Sequence, residues 1–318
     1  MYKKVKLFIF KIFLLGLFTL GTVEILYQFN PYAQKNLDIS YTASIIEKYK
    51  RLESLPSPKI VLIAGSNFAY GINSQMIEQS LHRPVVNMAM HYDYGTDFML
   101  RQIQDQLHPG DTVIMGFEYI VESKGNIGEK ILMANVFPKA KEWFEYENAI
   151  QYLRENAVAR IASLRLTLER LISSEDIIPT VDDTTSIFFR KAINEYGDLI
   201  SHLNNPPVKV IPPAIIDERI SMRLAIADMN AFYLKMKQRG VKVYYSYPSY
   251  ALSSYERDKP IMNKLQNEFK NEARFPILGQ LQDFVFADSL CQDMVYHLNG
   301  KGRDIRTQKL IDLLKKTN

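Results

Sequence analysis

Short apolar runs alternate with stretches of helical periodicity in the part of the chain that follows residue 58. The runs at 59–63, 84–88 and 112–117 are almost continuously apolar, as expected for strands buried on both faces of a parallel sheet. Between them, Ser74–Leu81 and Asp97–Gln106 place apolar residues at helical spacing. This alternation of strand and helix predicts βαβ units, and therefore an α/β domain with a mostly parallel sheet.

The pattern changes at about 121–207, where helical stretches such as Trp143–Leu153 and Ala157–Ile172 run with little strand character. We interpret this segment as a helical insertion. Its apolar residues favour a cap that packs onto the sheet. The alternative is that Trp143 and the stretch at 194–205 line a substrate groove.

After the insertion, the alternation of helix and strand returns. A long helix is predicted at Ile216–Arg239, and a fourth strand at Val241–Tyr247, which is rich in β-branched and aromatic residues. The pattern is completed by a helix at Asp258–Glu272, a short strand at Phe275–Leu278 and a final amphipathic helix ending at Leu314.

The N-terminal stretch Leu7–Tyr27 is apolar apart from a few polar positions, and four lysines lie among the first eleven residues. At ~1.5 Å per helical residue the stretch is long enough to cross a hydrocarbon layer of ~30 Å, which predicts a transmembrane helix in the lipid bilayer. The basic flank predicts a single-pass protein of the inner or plasma membrane, with a cytoplasmic N-terminus and an extracytoplasmic (periplasmic) domain. The alternative is a cleaved signal peptide with a small-residue site at 19–21.

These patterns divide the chain into three parts. Residues 1–28 form the anchor, 29–58 hold a stalk helix (Asn36–Ser54) and a linker, and 59–318 form the α/β domain with its insertion.

Composition excludes little. With 47% hydrophobic and 23% charged residues, the 318-residue chain has the make-up of a globular protein. The net charge of +4 is small and partly concentrated at the N-terminus, so we expect no binding to nucleic acid. Cys291 is the single cysteine, so no disulfide can form within the chain.

Ser66 is the first candidate for chemistry. It follows the first predicted strand through Ala64-Gly65, where small residues allow a sharp turn at the carboxyl end of the sheet. A serine exposed there can act as a nucleophile, with nearby backbone N–H groups to stabilise an oxyanion. The alternative is an ordinary turn serine.

Two further places could complete a site. Asp293 and His297 are four residues apart, so the carboxylate could fix the tautomer of the imidazole; Asp288 is a second candidate for that carboxylate. Glu118 and Tyr119 follow the third strand at the same sheet edge as Ser66. The alternatives are a capping or surface Asp–His pair and a glutamate that braces a loop.

Together these stretches resemble the SGNH (GDSL-like) hydrolase superfamily. IAGSNFAYGI is similar to its first block and DMVYHLNGKG to its last, Asp-x-x-His, with looser variants. VVNMAM, GDTVIMGFEY and YHLNGKGRDIRT resemble, in the same order, segments of membrane-anchored members: the alginate-type acetyltransferases and the D-alanyl transfer protein of teichoic acid. The resemblance covers roughly 59–119 and 241–318, and implies a flavodoxin-like three-layer sandwich of the SGNH type with a mostly parallel sheet.

The resemblance also implies roles. Ser66 would be the nucleophile, His297 the general base and Asp293 the residue that orients His297, with no metal or organic cofactor. The chain departs from the pattern at the residues before Ser66, and a register shifted by one would place Asn67 at the catalytic position.

The oxyanion donors of the family have no clear counterparts. Gly95 is the candidate for the glycine of the second block, with Asn87 and Ala89 nearer in sequence. Glu118 stands where typical members carry an asparagine donor, and an ionised glutamate would repel an oxyanion. Backbone N–H groups near Ser66, or the side chain of Asn67, are the remaining donors.

The resulting functional hypothesis is a membrane-anchored esterase or O-acyltransferase that acts on an acylated cell-surface or exported polysaccharide. The alternative is a catalytically decayed protein that binds or assembles such a polymer. With either, the family analogy suggests a multispanning membrane acyltransferase as partner.

Overall fold

A five-stranded parallel sheet forms the centre of the fold in the computed structural model, which describes residues 2–28, 39–173, 187–214 and 216–317. Its strands are β1 (Ile60–Ile63), β2 (Val85–Asn87), β3 (Thr112–Met115), β4 (Lys242–Ser246) and β6 (Ile277–Leu278). They lie in the order β2-β1-β3-β4-β6, and each neighbouring pair is parallel. Numbered within this sheet the order is 2-1-3-4-5, the flavodoxin-like doubly wound arrangement. The prediction of a mostly parallel sheet is therefore confirmed.

Helices flank the sheet, and a second, two-stranded sheet pairs β5 (Tyr250–Ala251) with β7 (Val285–Phe286). The α-helices are α1 (Tyr2–Gln28), α2 (Ile45–Ser54), α3 (Ser66–Gly71), α4 (Ser74–Leu81), α5 (Thr96–Gln104), α6 (Ile127–Val136), α7 (Ala149–Ser173), α8 (Arg223–Gln238), α9 (Leu252–Arg257), α10 (Lys259–Glu272) and α11 (Gly300–Lys315).

Alternate residues of the central strands enter two different cores. Ile60 and Leu62 of β1 belong to one apolar cluster, whereas Val61 and Ile63 belong to the other. Since successive side chains of a strand point to opposite faces, both faces of the sheet are covered. All four residues of β1 are buried, as its continuous apolar sequence predicts.

The register brings the strand ends that matter next to each other. Ile63 at the end of β1 pairs with Met115 at the end of β3. The chain that leaves β1 therefore runs beside the chain that leaves β3, and both emerge at the carboxyl edge of the sheet, where open α/β sheets bind ligands.

Two predicted helix starts are wrong. Trp143 ends a 3-10 helix (Pro138–Trp143) and packs against the Tyr49 ring at a tilt of 34°, and α7 begins only at Ala149. Packing of the indole into the core overrides the helical periodicity there. The residues from Ile216 to Met222 likewise precede α8, because the Glu268 carboxylate accepts the Met222 N–H at 2.7 Å and so holds the chain at the helix entrance.

The segment predicted as an insertion, 121–207, contains α6 and α7; its residues 174–186 lie outside the described part of the chain. Its last portion returns to the sheet edge. Lys48 of α2 is buried there and donates to the carbonyls of Asn87, Ala89 and Gly197, at 3.1, 2.8 and 2.5 Å. The lysine joins the predicted stalk to both the sheet and the segment. Residues 36–38 of the predicted stalk helix are also outside the described residues.

The N-terminal helix α1 is long and apolar enough to cross a membrane and has no buried residue. Its last turns contact the rest of the protein: Glu24 pairs with Arg160 of α7 at 2.6 Å, and the Tyr27 hydroxyl accepts a hydrogen bond from Asn135 of α6. A membrane anchor is compatible with this helix; its orientation stays a prediction.

Candidate active site

Ser66 lies at the carboxyl edge of the sheet, as the first residue of α3 after the turn from β1. The turn requires a glycine at Gly65, because a Cβ there would lie 2.3 Å from a Glu118 carboxylate oxygen. The lack of room for a side chain explains why a glycine precedes Ser66 in the sequence. Ser66 is 5% exposed.

The structure brings together Ser66, His297 and Asp293. His297 Nε2 lies 2.8 Å from Ser66 Oγ, and His297 Nδ1 lies 2.7 Å from Asp293 Oδ1. An ionised carboxylate only accepts hydrogen bonds, so Nδ1 carries the proton and Nε2 is left as the acceptor for the serine hydroxyl. This is the order of contacts in a nucleophile, base and orienting acid.

A short loop places His297 before α11. The His297 carbonyl accepts the Gln292 N–H at 2.8 Å, and Cys291 forms an antiparallel bridge with Leu298. Burial alone would raise the pKa of Asp293, but the hydrogen bond from His297 and its charge lower it below the usual range. Asp293 is therefore ionised at neutral pH.

Asn67 does not point toward His297. Its side-chain amide donates to the Gly116 carbonyl at 2.6 Å, and its Oδ1 accepts from Arg306 at 2.9 Å. With Asn67 fully buried and both side-chain atoms bonded, the shifted register with Asn67 at the catalytic position is not the arrangement seen. One hydrogen of its amide is used by the Gly116 carbonyl rather than by the candidate site.

Glu118 braces the turn that carries Ser66 from beneath. Its carboxylate accepts the N–H groups of Gly65 at 3.1 Å and of Asn67 at 2.8 Å, and the side chain is fully buried. Glu118 thus takes the role of the loop-bracing glutamate that the sequence left open. The Ser66 N–H lies between these two donors in the chain, and the first turn of a helix does not use its own N–H groups. It is therefore a backbone candidate for an oxyanion donor.

Arg306 of α11 supplies the opposite charge, and the sequence reasoning missed it. Fully buried, it donates to the Asn67 carbonyl at 3.0 Å and to the Tyr247 carbonyl at 3.2 Å, with its guanidinium 4.7 Å from the Phe68 ring. Burial lowers the pKa of Arg306 to about 9, against the charge of Glu118, which raises it. A signal existed: Arg306 is in helical phase with Leu310 and Leu314 on the buried face of α11.

The other predicted oxyanion groups are bonded elsewhere. The Gly95 N–H donates to the Tyr92 carbonyl at 3.0 Å, and the Ala89 N–H to Asn87 Oδ1 at 3.1 Å. The Asn87 amide donates to the Phe68 carbonyl at 3.0 Å and to Asp198 at 2.9 Å. Asn87 therefore supports α3 from the side rather than facing a substrate.

Two more predicted residues lie away from the Ser66–His297 contact. Tyr119 is 1% exposed and packs against Tyr250 and Tyr296, so it does not face an open crevice. Asp288 accepts the Ser253 N–H at 3.0 Å, which braces a loop and leaves Asp293 as the partner of His297.

Tyr70 and His202 contact the site although the sequence did not single them out. The Tyr70 ring is stacked on the His297 imidazole, with centroids 3.7 Å apart and planes 8° apart. The His202 ring lies 4.4 Å from the same phenol. Tyr70 was part of a quoted motif, and His202 of the stretch at 194–205, but neither sequence pattern indicates this contact.

In comparisons with protein-family models, curated proteins and solved structures, nothing matches the chain. What the site can do therefore follows from its own geometry. Within the described ranges, no group of three or more His, Cys, Asp or Glu side chains is arranged to hold a metal ion. The groups that can carry chemistry are a serine hydroxyl, an imidazole and a carboxylate in hydrogen-bond contact, the constellation of a serine nucleophile.

Proposed function

We propose that the protein is a membrane-anchored, extracytoplasmic serine esterase or O-acyltransferase of the SGNH type. The observation that carries the proposal is the continuous hydrogen-bond chain from Ser66 through His297 to Asp293 at the carboxyl edge of the sheet. The similarity of the IAGSNFAYGI and DMVYHLNGKG segments to the superfamily's first and last blocks supports it.

In the proposed reaction, Ser66 Oγ attacks the carbonyl carbon of an acyl ester while its proton passes to His297 Nε2. Asp293 stabilises the imidazolium that forms. The developing oxyanion is bound by the Ser66 N–H. His297 then returns the proton to the leaving alcohol, and an acyl-enzyme remains. Water resolves it in an esterase, and a sugar hydroxyl in a transferase.

The proposed substrate is an O-acetylated cell-surface or exported polysaccharide. The resemblance to the anchored acetyltransferases supports this choice, and the apolar helix α1 supports a site held at the membrane. A multispanning membrane acyltransferase remains the partner suggested by family analogy.

The test is turnover of an aryl acetate and of an acetylated polysaccharide by the full chain in detergent or nanodiscs. Ser66→Ala should abolish turnover, because no other hydroxyl hydrogen-bonds His297 Nε2 in the described residues. Ser254→Ala is the matched control, a buried serine on α9. Equal turnover by wild type and Ser66→Ala would rule out Ser66 as the nucleophile.

A second function is favoured by one observation: the position of the family's asparagine donor holds Glu118, which is engaged beneath the turn. Without that side-chain donor for the oxyanion, the protein could bind an acylated polymer without turning it over. A fluorophosphonate probe separates the two functions. Labelling of wild type that disappears in Ser66→Ala supports the enzyme, and an unlabelled wild type that still binds the polymer supports the binding protein.

A further inference from the structure

Tyr70 contacts both members of the His297–Asp293 pair. Its ring covers one face of the imidazole at 3.7 Å, and its hydroxyl lies 3.5 Å from Asp293 Oδ2. His297 uses the other carboxylate oxygen, Oδ1. Each oxygen of Asp293 therefore has its own donor, which restricts rotation of the carboxylate.

Tyr70 belongs to the same short helix as Ser66. The two residues are four apart on α3, so they lie on one face of the helix. One helix thus supplies the hydroxyl that meets His297 Nε2 and the phenol that meets the imidazole face and Asp293. A shift of α3 would move these contacts together, so the geometry of the site is tied to one rigid element.

His202 supports the phenol from the segment at 121–207. The His297 and His202 rings both lie within 4.4 Å of the Tyr70 centroid, and two rings so close cannot share one face. His202 is fully buried. Burial, helped by the positive charge of Arg303, lowers the pKa of His202 to about 4, so it packs as a neutral ring near neutral pH.

We propose that Tyr70 is a positioning residue that holds His297 and Asp293 in register with Ser66, and that His202 secures Tyr70. The proposal rests on the proposed function. Through His202, the end of the 121–207 segment would then help to position the residues of the site. Tyr70 acts through His297 and Asp293 and does not itself touch the reacting atoms.

The main test is Tyr70→Phe, which keeps the ring and removes the hydroxyl. Burial and the charge of Asp293 raise the pKa of Tyr70, so the phenol is a donor throughout the working range. Without that donor, more of the Asp293 charge acts on His297, which then protonates more readily. We expect kcat to fall roughly 10-fold and the acid limb of the kcat/KM profile to move to higher pH. Tyr70→Leu, which also removes the stack, should cost roughly 100-fold.

A second measurement does not depend on turnover. The chain has five histidines, so the His297 signals can be assigned by NMR against His297→Gln and titrated in wild type and Tyr70→Phe. We expect the His297 titration midpoint to rise in Tyr70→Phe. The matched control is Tyr196→Phe, whose hydroxyl bonds Glu78 at 3.3 Å and should leave His297 unchanged.

The outcomes are separable. If Tyr70→Phe keeps the wild-type acid limb and the wild-type titration of His297, Tyr70 is not a positioning residue. If wild type turns over no acyl ester but the titration shifts as expected, the proposed function fails and the positioning role of Tyr70 stands.

Discussion

Ser66 lies above buried charged side chains, whereas His297 lies against an aromatic ring, that of Tyr70. Under Ser66, the Glu118 carboxylate and the Arg306 guanidinium meet at Asn67 with all three side chains fully buried. Besides Ser66, His297 contacts the Tyr70 ring and one carboxylate, Asp293, whose side chain is 33% exposed.

The site thus has one half around Ser66 and one around His297, and substitutions in the two halves should have different effects. Removing one of two opposite charges that are buried near each other leaves the other less compensated, so the half around Ser66 should respond in global stability. In the half around His297, Asp293 is partly exposed and the imidazole is stabilised by stacking, so this half should respond in pH dependence and rate. Variants that test this contrast follow from the largest expected effect to the smallest.

Arg306→Met should lower the free energy of unfolding by ~3–5 kcal/mol, because the buried carbonyls of Asn67 and Tyr247 lose a charged donor and Glu118 loses an opposite charge that acts on it. The measurement is denaturant unfolding at neutral pH. Arg219→Met is the matched control, since the Arg219 side chain is 91% exposed and its surface pair with Asp217 should contribute little to stability. Adding Glu118→Gln to Arg306→Met should recover part of the loss. An Arg306→Met protein as stable as wild type would contradict a charge-braced turn.

His202→Phe should remove a pH dependence of stability. The folded-state pKa of His202 is about 4 and its ordinary value is 6.5, so between these values the unfolded chain binds a proton that the native one does not. Stability therefore falls as pH drops from 6.5 to 4, by on the order of 3 kcal/mol from this group. His202→Phe should lose less stability between pH 7 and pH 4.5 than wild type. His108→Phe, at an exposed position, is the control and should keep the wild-type slope.

Ser249→Ala should have the smallest effect and tests whether the halves are coupled. The Ser249 hydroxyl donates to the Tyr296 carbonyl at 2.6 Å, next to His297, and accepts from Arg306 at 3.3 Å. We expect a loss of ~1–2 kcal/mol in unfolding free energy for these bonds. In a double-mutant cycle, a non-additive effect of Ser249→Ala and Tyr70→Phe on kcat would show coupling; additive effects would show that the halves act independently.

Much of the sheet could be predicted because its signals are local. The apolar runs gave β1 to β4 within two residues at each end, and α4 was predicted with the observed bounds. Predictions failed where a distant residue decides the local structure. Glu268 fixes the start of α8, and Tyr49 packs against Trp143 in the core. Neither contact can be recognised from the helical periodicity of the sequence.

The residues of the candidate site also divide into those that local sequence suggests and those that depend on distant contacts. Ser66, Asp293 and His297 stand next to turns and strand ends, so residue type and position suggested them. Arg306 is different: its helical phase places it on the buried face of α11, but residue type predicts an exposed arginine, and only Glu118 and Asn67 in three dimensions explain its burial.

Arg306 also sets the order in which the site can assemble. Its contacts with Asn67 join residues 239 positions apart, so the whole intervening chain must be present before they form. The turn that carries Ser66 is therefore completed only when the last helix docks, after the chain has been synthesised almost to its end. A chain truncated before α11 would retain the serine but lack the charge that compensates Glu118. If Ser66 is the nucleophile, as proposed, activity would appear only once the last helix has docked.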